Sequence, residues 1–146
     1  MTEPKQYLRM SFGTGTYLLP STSGYTIEQR ENLVASNAAN SNVCAWRSVR
    51  GSRWPAFALD DQLQPVRRDD WQRAVFIEAL PHAFGMIVDD VHMLPRAQMQ
   101  VSPFTPLGPA PTRVGHLFSG AWVTEDSVML VFEPKTLIAY LQSLEE

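Results

Sequence analysis

Leu8, Met10 and Phe12 alternate with Tyr7, Arg9 and Ser11, a period of two that predicts a half-buried strand. Gly13-Thr14-Gly15 follows as a hairpin turn, and residues 16–19 return as a second strand closed by Pro20, since proline pushes its predecessor toward extended backbone. Residues 21–42 are polar, anchored only by Tyr25, Ile27, Leu33 and Val34. They predict a surface connection with one short strand or helical turn near 27–34 and a turn-rich end at 37–42. Two apolar runs, 43–49 and 53–59, then flank Arg50-Gly51-Ser52 as a second hairpin. Residues 60–63 suggest one helical turn, and the charged stretch 65–70 a linker between two halves. The run 71–80 contains "AVFIEAL", a strongly apolar strand that 84–88 answers after a turn, and a short strand at 91–94 stops at Pro95. Five prolines between 95 and 115 exclude a regular helix there and predict an extended surface connection. Residues 117–123 and 127–132 make a last hairpin with Glu125-Asp126 at its tip. Finally Leu137, Leu141 and Leu144, with Ile138 beside them, fall at helical spacing after Pro134, predicting an amphipathic helix over 134–144.

Many short strands followed by one helix suggest small β-barrels or a sandwich. A length of 146 residues accommodates one sizeable core or two very small ones. With 45% hydrophobic and 18% charged residues the chain is globular rather than disordered. A net charge of -3 supplies no global field for nucleic acid or anionic lipid and leaves only local patches to attract them. Cys44 is the single cysteine, which excludes an intrachain disulfide and a cysteine metal cluster. The opening residues carry no apolar stretch of signal-peptide type, and no run approaches the ~20 apolar residues of a spanning helix. The expectation is a soluble, cytoplasmic protein.

Catalytic chemistry finds little support. His82, His92 and His116 are not at a metal-site spacing. Adjacent carboxylates in Asp60-Asp61, Asp69-Asp70 and Asp89-Asp90 point opposite ways on extended chain and suit turns and caps better than a shared metal or proton. Ser119-Gly120 lacks the preceding glycine of a nucleophile elbow. Gly13-Thr14-Gly15 is too short for a phosphate loop. No enzyme activity, cofactor or metal is expected. One constellation stands out: Arg47, Arg50 and Arg53, interleaved with Trp46 and Trp54. It reads in three ways. The arginine stems cover the tryptophans on an ordinary surface; the cations and rings hold single-stranded nucleic acid; or they form a protein-binding hot spot, the use for which arginine and tryptophan are enriched.

The same hairpin carries a family resemblance. "SVRGSRWPAFAL", residues 48–59, resembles the "NLRG…PVIDL" hairpin of CheW-like domains, the coupling proteins of bacterial chemotaxis arrays. "FGMIVDDVHMLPR", residues 84–96, is similar to the family's "vGLLVDeVheVlr". "FSGAWVTEDSVMLVFEPKTL", residues 118–137, is similar to its "v.GvarldgrlvlLLDpekLL", and the opening "FGTGTYLLP" fits its first hairpin. Each motif alone is weak; four in register between residues 7 and 144 make the combination specific. Departures are Ser48 for asparagine, Ala58 for aspartate and Glu133 for aspartate, which mark a divergent member and suit a twitching or other pilus-type signalling system.

The resemblance implies a mainly β fold: two five-stranded SH3-like barrels around a shared apolar core, forming one domain over 1–146. The first barrel would come mainly from 16–70 and the second from 71–132, with the N-terminal strand and the helix 134–144 completing the packing. It implies a non-catalytic adaptor that links chemoreceptor cytoplasmic tips to a CheA-type histidine kinase. Arg50, Gly51, Trp54, Arg47 and Arg53 are then the expected partner-binding residues, with Arg50 of the "RG" turn in contact with the partner. Trp54 is divided between core and contact patch. The alternative is a small-barrel nucleic-acid binder using the Arg47, Arg50 and Arg53 hairpin.

Overall fold

The computed structural model describes residues 5–22, 24–36, 41–79, 81–95, 97, 99–103 and 116–145. Thirteen strands and one α-helix appear among them. β1 (Gln6–Phe12) and β2 (Gly15–Pro20) form the first hairpin, as the alternation predicts. The polar stretch after it holds more than expected: β3 (Tyr25–Gln29), a 3-10 turn at Arg30–Asn32 and β4 (Val34–Ala35). β5 (Val43–Val49) and β6 (Ser52–Leu59) make the second hairpin. β7 (Pro65–Val66), β8 (Arg73–Ala79), β9 (His82–Val88) and β10 (Asp90–Pro95) follow. β11 (Val101–Pro103), β12 (Phe118–Val123), β13 (Val128–Phe132) and the helix α1 (Pro134–Glu145) complete the chain. Most of the expected 95–115 connection, from 104 on, lies outside the described residues, as do positions 37–40 of the expected turn-rich end.

The strands pair into two curled sheets. One runs β10-β1-β2-β13-β12-β11 and the other β3-β8-β9-β6-β5-β4, with β7 on β6. Setting aside the two- and three-residue strands β4, β7 and β11, each sheet has five long strands. The chain does not divide between the sheets at residue 70. The β8–β9 hairpin, expected in the second barrel, lies in the sheet of β3, β5 and β6; the β1–β2 hairpin lies with β10, β12 and β13. Burial explains this. Ala74, Val75, Phe76 and Ile77 are all buried, as is every residue from Ala83 to Val88. A strand apolar on both faces must take a central position, and β8 and β9 are flanked by β3 and β6. Parallel pairing of β6 with β9, and of β13 with β2, joins distant segments into each sheet.

Three apolar clusters result. The largest lies between the sheets and takes Leu8, Met10, Phe12, Phe57, Val75, Met86 and Phe132 from both, closed by Leu137 and Leu141 of α1. A second belongs to the β3–β9 sheet and sets Trp71, Phe76 and Ile87 among Ala45, Ala56, Ala58 and Ala74. Small residues interleaved with large ones suit the narrow interior of a curled sheet. The third, Tyr7, Leu18, Met99 and Val131, belongs to the other sheet. Tyr7 is therefore buried although it is out of phase with Leu8 and Met10: curling covers both faces of β1.

Two expectations between β6 and β8 are corrected. Residues 60–63 form a hydrogen-bonded turn, not a helical one. Leu63 N donates to Asp60 O at 3.0 Å, while Asp60 Oδ1 accepts from Gln62 N and Gln64 N at 2.8 and 3.0 Å. The carboxylate takes donors a helix would need, and Leu63 has a positive φ of 62°, outside the right-handed helical region. The charged stretch 65–70 is likewise no free linker. Arg67 donates to the carbonyls of Ser36, Ser41 and Val43. Arg30 donates to those of Asp69 and Trp71 and lies 4.7 Å over the Trp71 ring. Arg68 pairs with Asp89 at 2.8 Å.

The helix is tied to this corner. Tyr140 donates its hydroxyl to the Leu63 carbonyl, and Asn42 donates to that of Leu144. Burial, with Asp60 nearby, raises the Tyr140 pKa, so the hydroxyl keeps its proton. No helix among the described residues is long and apolar enough to cross a membrane.

Candidate functional site

Val49 pairs with Ser52, so the β5–β6 connection is two residues long, Arg50 and Gly51, rather than three. Both have positive φ, 51° and 84°. This is the signature of the mirror-image turn whose twist matches paired strands. Arg50 accepts a left-handed backbone at a cost of roughly 1 kcal/mol, and its side chain stands exposed at the end of the hairpin. It makes no ion pair or ring contact among the described residues. Gly51 has open space where a Cβ would go, so backbone strain alone sets the cost of a side chain there. Gly51→Val is expected to lower the melting temperature by several degrees, for a strain of roughly 1–2 kcal/mol. Gly51→Asn, which tolerates the left-handed region, should lower it less. Equal melting curves for wild type and Gly51→Val would show that the turn relaxes freely.

The three arginines do not form one cluster. Arg47 is half-buried, 3.7 Å from Glu28 and 5.7 Å over the Phe76 ring. Arg53 lies 4.4 Å over Trp46. The register pairs Arg47 with Trp54 and Ser48 with Arg53. Since directly opposed residues share a face, Arg47 and Arg53 occupy opposite faces of the hairpin. Arg50 lies beyond both at the turn. Three coplanar cations tracking a phosphate chain are therefore not what the hairpin presents, and Arg47 already has an anionic partner.

Trp54 is half-buried, packed against the alanine-rich cluster, with its ring 5.3 Å from His82 in an edge-on arrangement. Beside it a cleft of about 360 Å³ is walled by Trp54, Pro55 and Phe84 and edged by Arg53, His82 and Glu145. Glu28 and His82 are the members that sequence reasoning missed. Both come from strands remote in the chain, and the signal available, the alternation of β3, gave no partner for Arg47.

Asp89 and Asp90 are tied into the structure. Asp89 pairs with Arg68, whereas Asp90 turns to His92 at 2.9 Å and Arg73 at 3.8 Å. The bond to His92 holds the Asp90 carboxyl below its usual range. The adjacent acids thus diverge, as expected. No group of three or more metal-ligating side chains converges among the described residues. Three exposed apolar sites remain among the described residues, one of them Val34 on β4, 61% exposed. Ile27 on β3 and Met93 on β10 are 37% and 40% exposed on the outermost strands of their sheets, and Tyr25 Oη bridges the same seam to Met93 Sδ at 3.7 Å. Val123 and Val128, directly opposed at the end of the β12–β13 hairpin, are 64% and 58% exposed.

Comparison with known proteins agrees with this architecture. The model of the CheW-like domain matches residues 6–142. Among solved structures, the scaffolding protein TtCheW from Thermoanaerobacter tengcongensis is similar in fold, with a TM-score of 0.63 at 20% identity over 89% of each chain. No curated protein matches the sequence.

Proposed function

The chain belongs to the CheW-like domain family of chemotaxis scaffolds, and we propose that it is a non-catalytic adaptor coupling chemoreceptor cytoplasmic tips to a CheA-type histidine kinase in the cytoplasm. The observation that carries this reading is the presentation of Arg50: a long cation, without an ion pair among the described residues, on a two-residue turn backed by a paired hairpin. A guanidinium held this way forms bidentate bonds to carboxylates or carbonyls of a partner. Gly51 permits the turn, Arg53 and the exposed part of Trp54 extend the contact, and Arg47 steadies the hairpin through Glu28. The seam at Ile27 and Met93 offers a second, apolar surface, so two proteins can be engaged at once. That is what a coupler requires and a catalyst does not. The divergent motif residues suit a pilus-type pathway as well as a flagellar one.

Arg50→Glu tests the reading. The variant should keep the wild-type circular dichroism spectrum and lose about tenfold or more in affinity for its kinase, the scale of a central arginine contact. Titration of the labelled kinase measures it. Wild-type affinity in a folded variant would remove Arg50 from the contact. Salt-sensitive oligonucleotide binding without any kinase contact would favour the nucleic-acid reading instead.

A further inference from the structure

The seam between the two edge strands β3 and β10 carries an accessible sulfur. On β10, Val91 and Met93 lie directly opposite Met10 and Leu8 of β1, so they share the face of those core residues. Leu8 and Met10 are buried, Val91 is half-buried and Met93 is 40% exposed. Met93 thus ends a row of the shared core at its outer rim. Across the seam, Tyr25 and Ile27 stand two apart on β3 and share a face of the other sheet. Tyr25 packs against the shared core and donates its hydroxyl to Met93 Sδ at 3.7 Å. The other methionines among the described residues are better covered: Met10, Met86 and Met99 are buried, and Met129 is half-buried.

We propose that Met93 is an oxidation site through which hydrogen peroxide turns this seam from apolar to polar; its effect on binding rests on the seam being the second partner surface. The thioether sulfur attacks one peroxide oxygen. An S–O bond forms as the O–O bond breaks, and the other oxygen leaves as water after a proton shift. Sulfur loses two electrons and peroxide gains them, so thioether and hydrogen peroxide become sulfoxide and water. A thioether is a weak acceptor and the sulfoxide oxygen a strong one, so the Tyr25 hydroxyl turns from sulfur to that oxygen. A polar group then stands beside Ile27 in the exposed patch. A partner that buries the patch must desolvate it, which costs affinity unless the partner brings a donor. Conversely, a bound partner covers the sulfur and slows its oxidation. The change is reversible: a methionine sulfoxide reductase returns the thioether, with a dithiol oxidised to its disulfide and the oxygen released as water.

The test adds limiting hydrogen peroxide to the purified full chain and follows each methionine by fragmentation mass spectrometry. Met93 should oxidise about tenfold or more faster than Met10, Met86 and Met99, and ahead of Met129, because access of peroxide sets the order. In the same sample the NMR signals of the Ile27 methyl groups and the Tyr25 ring should shift. Those of Val34, on the opposite edge of that sheet, should stay. Affinity for a chemoreceptor cytoplasmic-tip fragment should fall about tenfold on oxidation, the scale of one poorly satisfied polar group. Met93→Leu, which has no thioether there, should show the same affinity before and after peroxide. Met93→Gln, polar without oxidation, should bind more weakly than Met93→Leu, and circular dichroism checks both folds. Equal oxidation of all the methionines, unmoved Tyr25 and Ile27 signals, or an oxidised chain that binds as tightly as a binding-competent reduced one would each overturn the proposal. A reduced chain that fails to bind the fragment counts against the coupling reading instead, and the oxidation order and NMR shifts still decide the fate of Met93.

Discussion

Phe57→Ala is expected to lower the free energy of unfolding by about 3–5 kcal/mol. Phe57 is fully buried in the cluster between the sheets. It sits on β6, opposite Val43 on β5 and Met86 on β9. Truncation removes a ring from the cluster that both sheets and the helix share, and its close-packed neighbours cannot collapse fully into the gap. Against a total stability of about 5–15 kcal/mol this is a large share. The melting temperature should fall by about 10 °C. Because β6 also carries Ser52 and Arg53, loosening it also loosens the Arg50 turn, so partner binding should weaken at temperatures near the new midpoint. Urea denaturation checks the first part. A loss below about 1 kcal/mol would mean that the shared core repacks and is not the close-packed body described here.

Gly120→Ala should act by another route. A Cβ at Gly120 would stand 2.5 Å from the Ser102 carbonyl oxygen and 3.3 Å from Pro103 Cα. The obstacle is backbone, with no flexible side chain to yield, so relief requires β11 to move off β12. Overpacking of this kind costs about 1–3 kcal/mol. The consequence reaches inward, because Met99 precedes β11, Val101 begins it, and both pack in the cluster of Tyr7, Leu18 and Val131. Hydrogen exchange should quicken at the β12 amides and around Tyr7, while the β8–β9 strands stay protected. Unchanged exchange at β12 would show that β11 accommodates the methyl group in place.

Local pattern and assembly separate cleanly in this chain. The alternation of β1, the apolar block of β8, the turn residues around Gly51 and the spacing of Leu137 and Leu141 each announce an element, because side-chain direction in a strand or helix follows from neighbours a few residues away. The Asp60 turn misleads for the same local reason: a helical turn and a carboxylate-capped turn differ only in which acceptor the N–H groups find. The arginines show the limit at the site. "RSVRGSR" places three cations within seven positions, yet the pleat sends Arg47 and Arg53 to opposite faces, and Glu28 and Phe76 arrive from strands 19 and 29 positions away in the chain. The turn places Arg50 at the tip from sequence alone; only long-range pairing reveals that Arg47 and Arg53 are drawn away from it onto Glu28, Phe76 and Trp46.

By itself, the amino-acid order determined the strand-rich character, the hairpins, the terminal helix and the motifs that resemble a CheW-like domain, since all of these depend on short-range periodicity and turn chemistry. Tertiary structure alone decided which hairpin joins which sheet, how the arginines are shared between paired and unpaired roles, and which apolar residues stay exposed. Those outcomes come from parallel pairings between distant strands and from burial on both faces of a curled sheet, neither of which leaves a signature within a short window of residues.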